Sequence, residues 1–343
     1  MPHNLILFGA GASHGSDTCG TPPLMGGLFH ELKRFDPGGW GAIGGELARR
    51  FGQADEFEPA MNELLKLDYS RAVVLQRAMA SYFFWFRPGP ENLYARLAGR
   101  IRDAPWDGAL ATLNYERLLK LALEDAGVPF WTDGLSSPDG AATELCYPHG
   151  CCDLFCNIRT ESSTQGAGST KVNIVAPKRT IIEPGKRRDG SEPLTTLRRQ
   201  GGGEVCFDDL VQIDSKGIRR IQDADQHAQE LETSTVLPIM CYIEPDKRSQ
   251  SGVSFIRRQW SRFETLVSSA SVVAIIGVNV RCRDAHIWGP LAETPARIVY
   301  CAGASAARHY SVWAEEHRPN RGDTLLLGDF EDEFDTICDA VGL

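Results

Sequence analysis

The chain has 343 residues, enough for one large domain or two smaller ones. Hydrophobic residues make up 42% and charged residues 24%, so a sizeable core can be buried. The net charge of −9 lacks the electrostatic footprint of a general nucleic-acid or anionic-membrane protein. No apolar run approaches the length that crosses a bilayer, and no basic region or cleavage site precedes the first strand. The ten cysteines therefore read as reduced thiols in a cytoplasmic protein.

The first element is Asn4-Leu5-Ile6-Leu7-Phe8, an unbroken apolar run that reads as a strand covered on both faces. It runs into Gly9-Ala10-Gly11-Ala12-Ser13. The two glycines permit a sharp turn and close backbone approach to a ligand, and a following helix would present its amides to a phosphate. His14 stands where the three-glycine dinucleotide fingerprint has its third glycine. A polar loop to Pro23, a helix over Leu24–Phe35 and a glycine-rich break at Gly38–Gly41 follow.

Residues 44–105 read as a helical block with apolar stripes at Met61, Leu64, Leu65 and at Val73, Leu75, Met79. Its aromatic run Tyr82–Phe86 is expected to pack in the core or wall a ligand cleft. Ala109–Leu113 is a second buried strand, ending at Asn114-Tyr115-Glu116, and a helix starts at Arg117. Short extended pieces follow at Val128–Thr132 and Leu145–Gly150, the latter ending Pro148-His149-Gly150.

From Cys151 to Thr235 regular patterning gives way to Gly, Ser, Thr and charge, as expected of a partly mobile insertion. Lys178–Arg199 within it is a basic run that reads as a solvated loop face. Strands resume at Val236–Tyr242, Val272–Ile276, Arg297–Cys301 and Thr324–Leu327. Helices are expected at Ser254–Ser269 and Phe330–Val341.

Strands alternating with helices at both ends predict an α/β fold, a Rossmann-like parallel sheet with helices on both faces. One domain spans 1–343. Its core is 1–35, 106–150 and 236–343, interrupted by the 44–105 helical subdomain and the 151–235 insertion. In such a sheet loops after different strands meet over one cleft. The polar clusters at strand ends are the Gly9–Ser13 turn, Thr112 with Asn114, His149, and the loop holding Gly277, Asn279 and Asp284. Taken singly, each has a plain structural explanation: Asn114 and Asp284 as helix caps, His149 as a turn residue.

Their order, however, resembles the sirtuin superfamily, and within it a bacterial branch of sirtuin-like NAD-cleaving defence proteins. The matching residues are Gly9-Ala10-Gly11-Ala12-Ser13, Thr112-Leu113-Asn114-Tyr115-Glu116, Pro148-His149-Gly150, Ile275-Ile276-Gly277 with Asp284 and His286, and the tail Leu327–Phe334. Gly20-Thr21-Pro22-Pro23-Leu24-Met25 replaces the Gly-Ile-Pro-Asp-Phe-Arg of protein deacylases, and the chain has no Cys-x-x-Cys pair for their zinc ribbon.

The resemblance implies NAD+ as substrate, with its pyrophosphate on Gly9, Ala10, Gly11, Ala12 and Ser13. Thr112, Gly277, Asn279 and Asp284 complete the cofactor site, and Asn114 and His149 are catalytic. The implied reaction is hydrolysis to nicotinamide and ADP-ribose by a gated, NAD-depleting effector of anti-phage defence. A separate sensor protein and assembly into an oligomer are expected. An NAD-dependent protein-lysine deacylase and a non-catalytic NAD- or ADP-ribose-binding module are the alternatives. Cys146, Cys151, Cys152 and Cys156 bracket His149 and offer zinc ligands, but adjacent Cys151 and Cys152 do not easily share one ion. No metal is expected.

Overall fold

The structure is a computed structural model describing residues 4–137, 140, 142–156, 172–174, 180–186, 193–199, 217–233, 237–242, 249, 251–281 and 283–343. In chain order it begins with β1 (Asn4–Phe8), α1 (Ala10–His14), α2 (Met25–Phe35), α3 (Gly45–Phe51), α4 (Phe57–Leu67), α5 (Tyr69–Phe84) and α6 (Leu93–Asp103). β2 (Ala109–Thr112), α7 (Leu118–Asp125), β3 (Phe130–Trp131), β4 (Thr143–Cys146) and β5 (Leu154–Cys156) come next. The insertion contributes β6 (Val172–Ile174), β7 (Thr180–Lys186), β8 (Pro193–Arg199), β9 (Ile218–Arg220) and α8 (Ala224–Thr233). The chain closes with α9 (Val253–Ser269), β10 (Val272–Ile276), α10 (Ala285–Glu293), β11 (Arg297–Cys301), α11 (Ala304–His317), β12 (Thr324–Leu326) and α12 (Phe334–Ala340).

Seven strands form one sheet in the order β12-β11-β10-β1-β2-β4-β3. Every pair in it is parallel. The continuous apolar strands are explained by cover on both faces. Leu5 and Leu7 join Val273, Ile275, Ile298 and Tyr300 on one face, under Phe263 and Leu266 of α9 and Ile287 and Leu291 of α10. Ile6 and Phe8 join Leu110, Ala274 and Ile276 on the other, with Leu28, Tyr94, Leu97 and Phe334 above them. The α/β architecture read from the sequence is therefore the one observed.

β1 lies between β2 and β10, and the chain reaches those two neighbours by separate crossovers. The carboxyl end of β1 is thus the topological switch point, where ligands bind in open α/β sheets. The register puts Phe8 opposite both Thr112 and Ile276, so the segments beginning at Gly9, Leu113 and Gly277 leave the sheet at one level.

The expected helical block is four separate helices. Trp40, Phe51 and Phe57 bind α3, α4 and α5 together, with Trp40 stacked on Phe57 at 5.6 Å, edge-on to Phe51 at 5.1 Å and donating from Nε1 to Leu75 O at 2.9 Å. Of the aromatic run, Phe83 and Phe84 are buried whereas Trp85 is 58% exposed, because the run ends where α5 turns out of the core. The segment expected as a strand at 236–242 makes a single antiparallel bridge, Met240 to Gly150. The closing helix starts at Phe334 rather than Phe330, since residues 330–333 form a turn whose Glu331 and Asp332 amides bind the Asp329 carboxylate.

Much of 151–235, with its expected mobility and part of its basic run, lies outside the described residues. What is described there is the β5–β9 pair, the three-stranded antiparallel sheet β6-β7-β8, and α8, whose His227 ring stacks on Phe84 at 3.8 Å. Among the described residues, no helix is long and apolar enough to cross a membrane.

Candidate functional site

The turn after β1 is held from behind. The Gly9 amide donates to Ile276 O at 2.9 Å, the Gly11 amide to Gly277 O at 2.9 Å, and the Ala12 amide to Gly9 O at 3.0 Å. A Cβ on Gly9 would stand 2.6 Å from Gly277 O, and one on Gly11 2.8 Å from Gly277 Cα. On Gly277 itself, at φ +64°, it would stand 2.1 Å from the Ala12 nitrogen. The three glycines are therefore a backbone joint between the loops after β1 and β10, and three of the amides assigned to phosphate already have protein acceptors. Ala10 is the exposed residue of the turn.

Asn114 sits against this joint. Its Nδ2 donates to Gly9 O at 3.0 Å and to Ser13 Oγ at 2.7 Å, and its backbone amide donates to Thr112 Oγ1 at 3.1 Å. A backbone carbonyl only accepts, so Gly9 fixes which end of the amide is nitrogen. With both N–H bonds committed, Oδ1 is what the Asn114 side chain offers to a ligand: an acceptor.

Beneath it, Ser13 Oγ donates to Glu116 Oε1 at 2.6 Å and lies 2.8 Å from the Tyr94 hydroxyl. Since serine has one proton, Tyr94 and Asn114 are both donors to its two lone pairs. Glu116 Oε2 accepts from the Leu118 amide. Burial pushes the Glu116 carboxyl above its ordinary value, against the pull of the Ser13 and Leu118 hydrogen bonds. Burial and the Glu116 charge push the Tyr94 phenol well up. Ser13, expected to face phosphate, is thus 1% exposed and works as a strut under Asn114.

His149 follows β4 in a turn closed by the Gly150 amide on Tyr147 O at 3.0 Å. Gly150 is at φ +76°, and a Cβ there would lie 1.9 Å from Ile239 O. α9 holds the same turn. Gln259 Oε1 accepts from the Tyr147 amide at 2.8 Å, and Trp260 Nε1 donates to Pro148 O at 2.8 Å. The His149 Nε2 lies 2.9 Å from His286 Nε2, and His286 stacks on Trp260 with ring centroids 4.5 Å apart. Asp284, at the start of α10, completes the group, for its carboxylate and the two imidazoles have ligating atoms within 4.8 Å of one another.

The loops of Asn114 and His149 are tied together. The Cys152 amide donates to Tyr115 O at 2.9 Å, the Tyr115 hydroxyl donates to Cys241 O at 2.5 Å, and the Cys241 amide donates to His149 O at 2.9 Å. Asn279 pairs instead with His309 of α11, at 3.0 Å. Asp284 occupies the N-cap position of α10 without a side-chain capping bond. The buried cysteines point elsewhere: Cys151 Sγ approaches Tyr115 O at 3.3 Å and Cys146 Sγ approaches Gln259 O at 3.5 Å. Among the described residues, the group with metal-ligand spacing is His149, Asp284 and His286, in place of the cysteine set weighed from sequence. Tyr94 and Trp260 are supporting residues outside the recognised motifs, and Glu116, inside one, gains its role as anchor of Ser13 only from its burial.

A doubly wound parallel sheet with polar loops gathered at its switch point is the class the coordinates define. No family model matches the chain, and no curated protein matches it. Among solved structures, the chain is similar to a Sir2 homologue in complex with ADP-ribose, at 13% identity and TM-score 0.43, over 99% of this chain and 92% of that one. It is also similar to a sirtuin solved for the structural basis of substrate affinity, at 10% identity and TM-score 0.44, over 98% and 93%. A third is a Sir2 homologue–NAD complex, at 14% identity and TM-score 0.37, over 99% and 89%.

Proposed function

We propose that the chain is an NAD+ hydrolase that releases nicotinamide and ADP-ribose. The observation that carries this reading is the seat of Asn114. Gly9 O and Ser13 Oγ hold its amide nitrogen, so that Oδ1 is presented as a fixed acceptor at the switch point. NAD+ would lie across the carboxyl end of the sheet, with its pyrophosphate over the Gly9–Ser13 turn, where Ala10 is exposed. Asp284 would accept from a ribose hydroxyl.

Nicotinamide is cationic in NAD+ and needs no proton to leave. The protein has to hold the ribose while positive charge grows on its anomeric carbon, and to supply water. Asn114 Oδ1 accepts from a ribose hydroxyl or from that water, and His149 takes the water's proton. An ordinary imidazole titrates near ~6.5, and such general-base help is typically worth about 10²–10⁴-fold. The missing deacylase motifs and zinc ribbon favour water over acyl-lysine as acceptor. Restraint by a separate sensor protein, in a phage-defence setting, completes the reading. The loops tying His149 to the 151–235 insertion are the route by which a partner would act.

Nicotinamide release from NAD+, with and without an acetylated peptide, tests the reaction, and growth arrest on overexpression tests an enzyme that is gated in isolation. Release without peptide, reduced about 10²-fold or more in Asn114→Ala and His149→Ala, is expected. Release only with peptide identifies a deacylase. Full growth arrest by both variants would remove the site assignment.

A further inference from the structure

The seven-stranded sheet has two edges, and the chain treats them differently. At β3, Pro129 directly precedes the strand and the Arg262 guanidinium lies over the Trp131 ring at 5.8 Å, so a proline and a charge guard the edge. At β12 there is no such guard. Thr324-Leu325-Leu326-Leu327 is uncharged and free of proline, and among the described residues β11 is the strand that pairs with it, which leaves its outer side open. Leu325 and Leu327 are 37% and 68% exposed. We propose that this edge is a two-fold interface with a second copy of the chain, β12 of one copy pairing antiparallel with β12 of the other.

Charge selects the occupant and its direction. At the amino end of β12 stand Arg321 and Arg297, both exposed, the second donating from Nη1 to Thr324 Oγ1 at 3.4 Å. At the carboxyl end, the turn after the strand exposes Asp329, Glu331 and Asp332. Asp329 accepts only backbone amides, and among the described residues neither Arg321 nor these three carboxylates has an ion-pair partner. The strand is therefore basic at one end and acidic at the other. An antiparallel pair about a two-fold axis sets each basic end against the acidic end of the other copy, whereas a parallel pair sets like against like.

The apolar residues fix the register. Leu325 is level with Tyr300 of β11 and lies on the face of the sheet that α11 covers, where Tyr310 stacks on Tyr300 at 4.0 Å. Strand alternation puts Leu327 on the same side. With Leu326 on the axis, Leu325 of each copy faces Leu327 of the other, and Arg321 comes level with Glu331. Asp323, which then faces Asp329, is already neutralised: Arg318 donates to it from Nε at 2.7 Å and from Nη2 at 2.8 Å, and the Tyr310 hydroxyl donates at 2.9 Å. Stable interfaces bury about 1,200–2,000 Å² in total, more than so short a strand supplies, so the charged ends must take part and the pairing must weaken with salt. β1 lies three strands in from β12, so pairing here leaves the switch point open and is independent of the reaction there.

Sedimentation velocity of the full chain, over a range of concentration and salt, reads the interface. A monomer–dimer equilibrium is expected, with Kd raised about 10-fold or more by high salt. Leu325→Lys places a charge on the open edge, and Arg321→Glu sets acid against acid. Each should raise Kd about 10-fold or more while the thermal unfolding midpoint of the chain stays put. Glu331→Arg should do the same by setting base against base. Arg321→Glu combined with Glu331→Arg should restore the dimer, because each charge again meets its opposite in the other copy. A monomer at every concentration overturns the interface. An oligomer that keeps its size and affinity in Leu325→Lys and Arg321→Glu overturns it as well, since another face then holds the copies together. Loss of the dimer in both charge reversals without recovery in the double variant overturns the antiparallel pairing.

Discussion

Asn114 and His149 stand at the ends of the neighbouring strands β2 and β4, and they are held in contrasting ways. Asn114 is fixed by a backbone carbonyl and by a serine strut, over a joint of three glycines that leaves no room for a methyl group. His149 is fixed by backbone on one side, through the Cys241 amide and the Gly150 turn against Ile239 O, and by side chains on the other, from Trp260 and Gln259 on α9 and His286 on α10, beside a cleft open to solvent. The first region is preorganised by packed backbone, which has one arrangement. The second depends on how two helices and the loop near Ile239 sit, and that loop abuts the insertion.

The contrast breaks most severely at Gly277. In Gly277→Ala the new Cβ meets the Ala12 nitrogen at 2.1 Å, and a left-handed φ of +64° adds strain of its own. Both neighbours are backbone, so no rotamer change relieves the clash. A loss of about 3 kcal/mol or more is expected. Thermal or urea unfolding measures it, and a wild-type midpoint would show that the two loops do not interlock.

The strands and turns of the site were legible because their signals are local. Uninterrupted apolar runs marked β1, β2 and β10, and Gly-x-Gly marked the joint, although its glycines were read as clearance for a phosphate. Clearance for another loop leaves the same sequence trace, because a missing Cβ does not say what occupies the space. Tyr94 was legible only as part of an apolar helical stripe. Its hydroxyl reaches Ser13 across 81 positions of sequence, which periodicity cannot report. Glu116 stood inside a recognised motif, but only burial shows that its carboxylate anchors Ser13. The pairing of His149 with His286 spans 137 positions and follows from sheet order, which single-sequence patterning leaves open.

Glu116 gives the next largest effect and sharpens the account of the rigid region. Its folded pKa is raised above the ordinary 4.5, chiefly by burial. The folded state therefore binds the proton more tightly than the unfolded chain. The contribution of this carboxyl to stability is fully present below about pH 4.5 and is lost as pH rises through the folded pKa. Glu116→Gln removes that titration at nearly the same volume, its amide oxygen still able to accept from the Leu118 amide. Unfolding free energies of the two proteins should diverge as pH rises above about 4.5, with the wild type losing ground. Parallel pH profiles would mean that Glu116 does not bear a buried charge.

The smallest effect belongs to the second region, at Gly289 of α10, one turn beyond His286. This glycine has room for a side chain: a Cβ built there meets nothing within 4 Å, and its backbone is helical. Alanine in a helix interior is favoured over glycine by roughly 0.5–1 kcal/mol, because less backbone entropy is lost on folding. Pro290 follows directly and disfavours a helical residue that carries a Cβ before it, so Gly289→Ala should leave stability within about 0.5 kcal/mol of the wild type, where the same change at Gly277 unfolds the joint. Paired unfolding curves compare one added methyl group at the two sites. A loss in Gly289→Ala as large as that in Gly277→Ala would show that the wall beside His286 is packed as tightly as the joint behind Asn114, and the contrast between a fixed and an adjustable side of the cleft would fall.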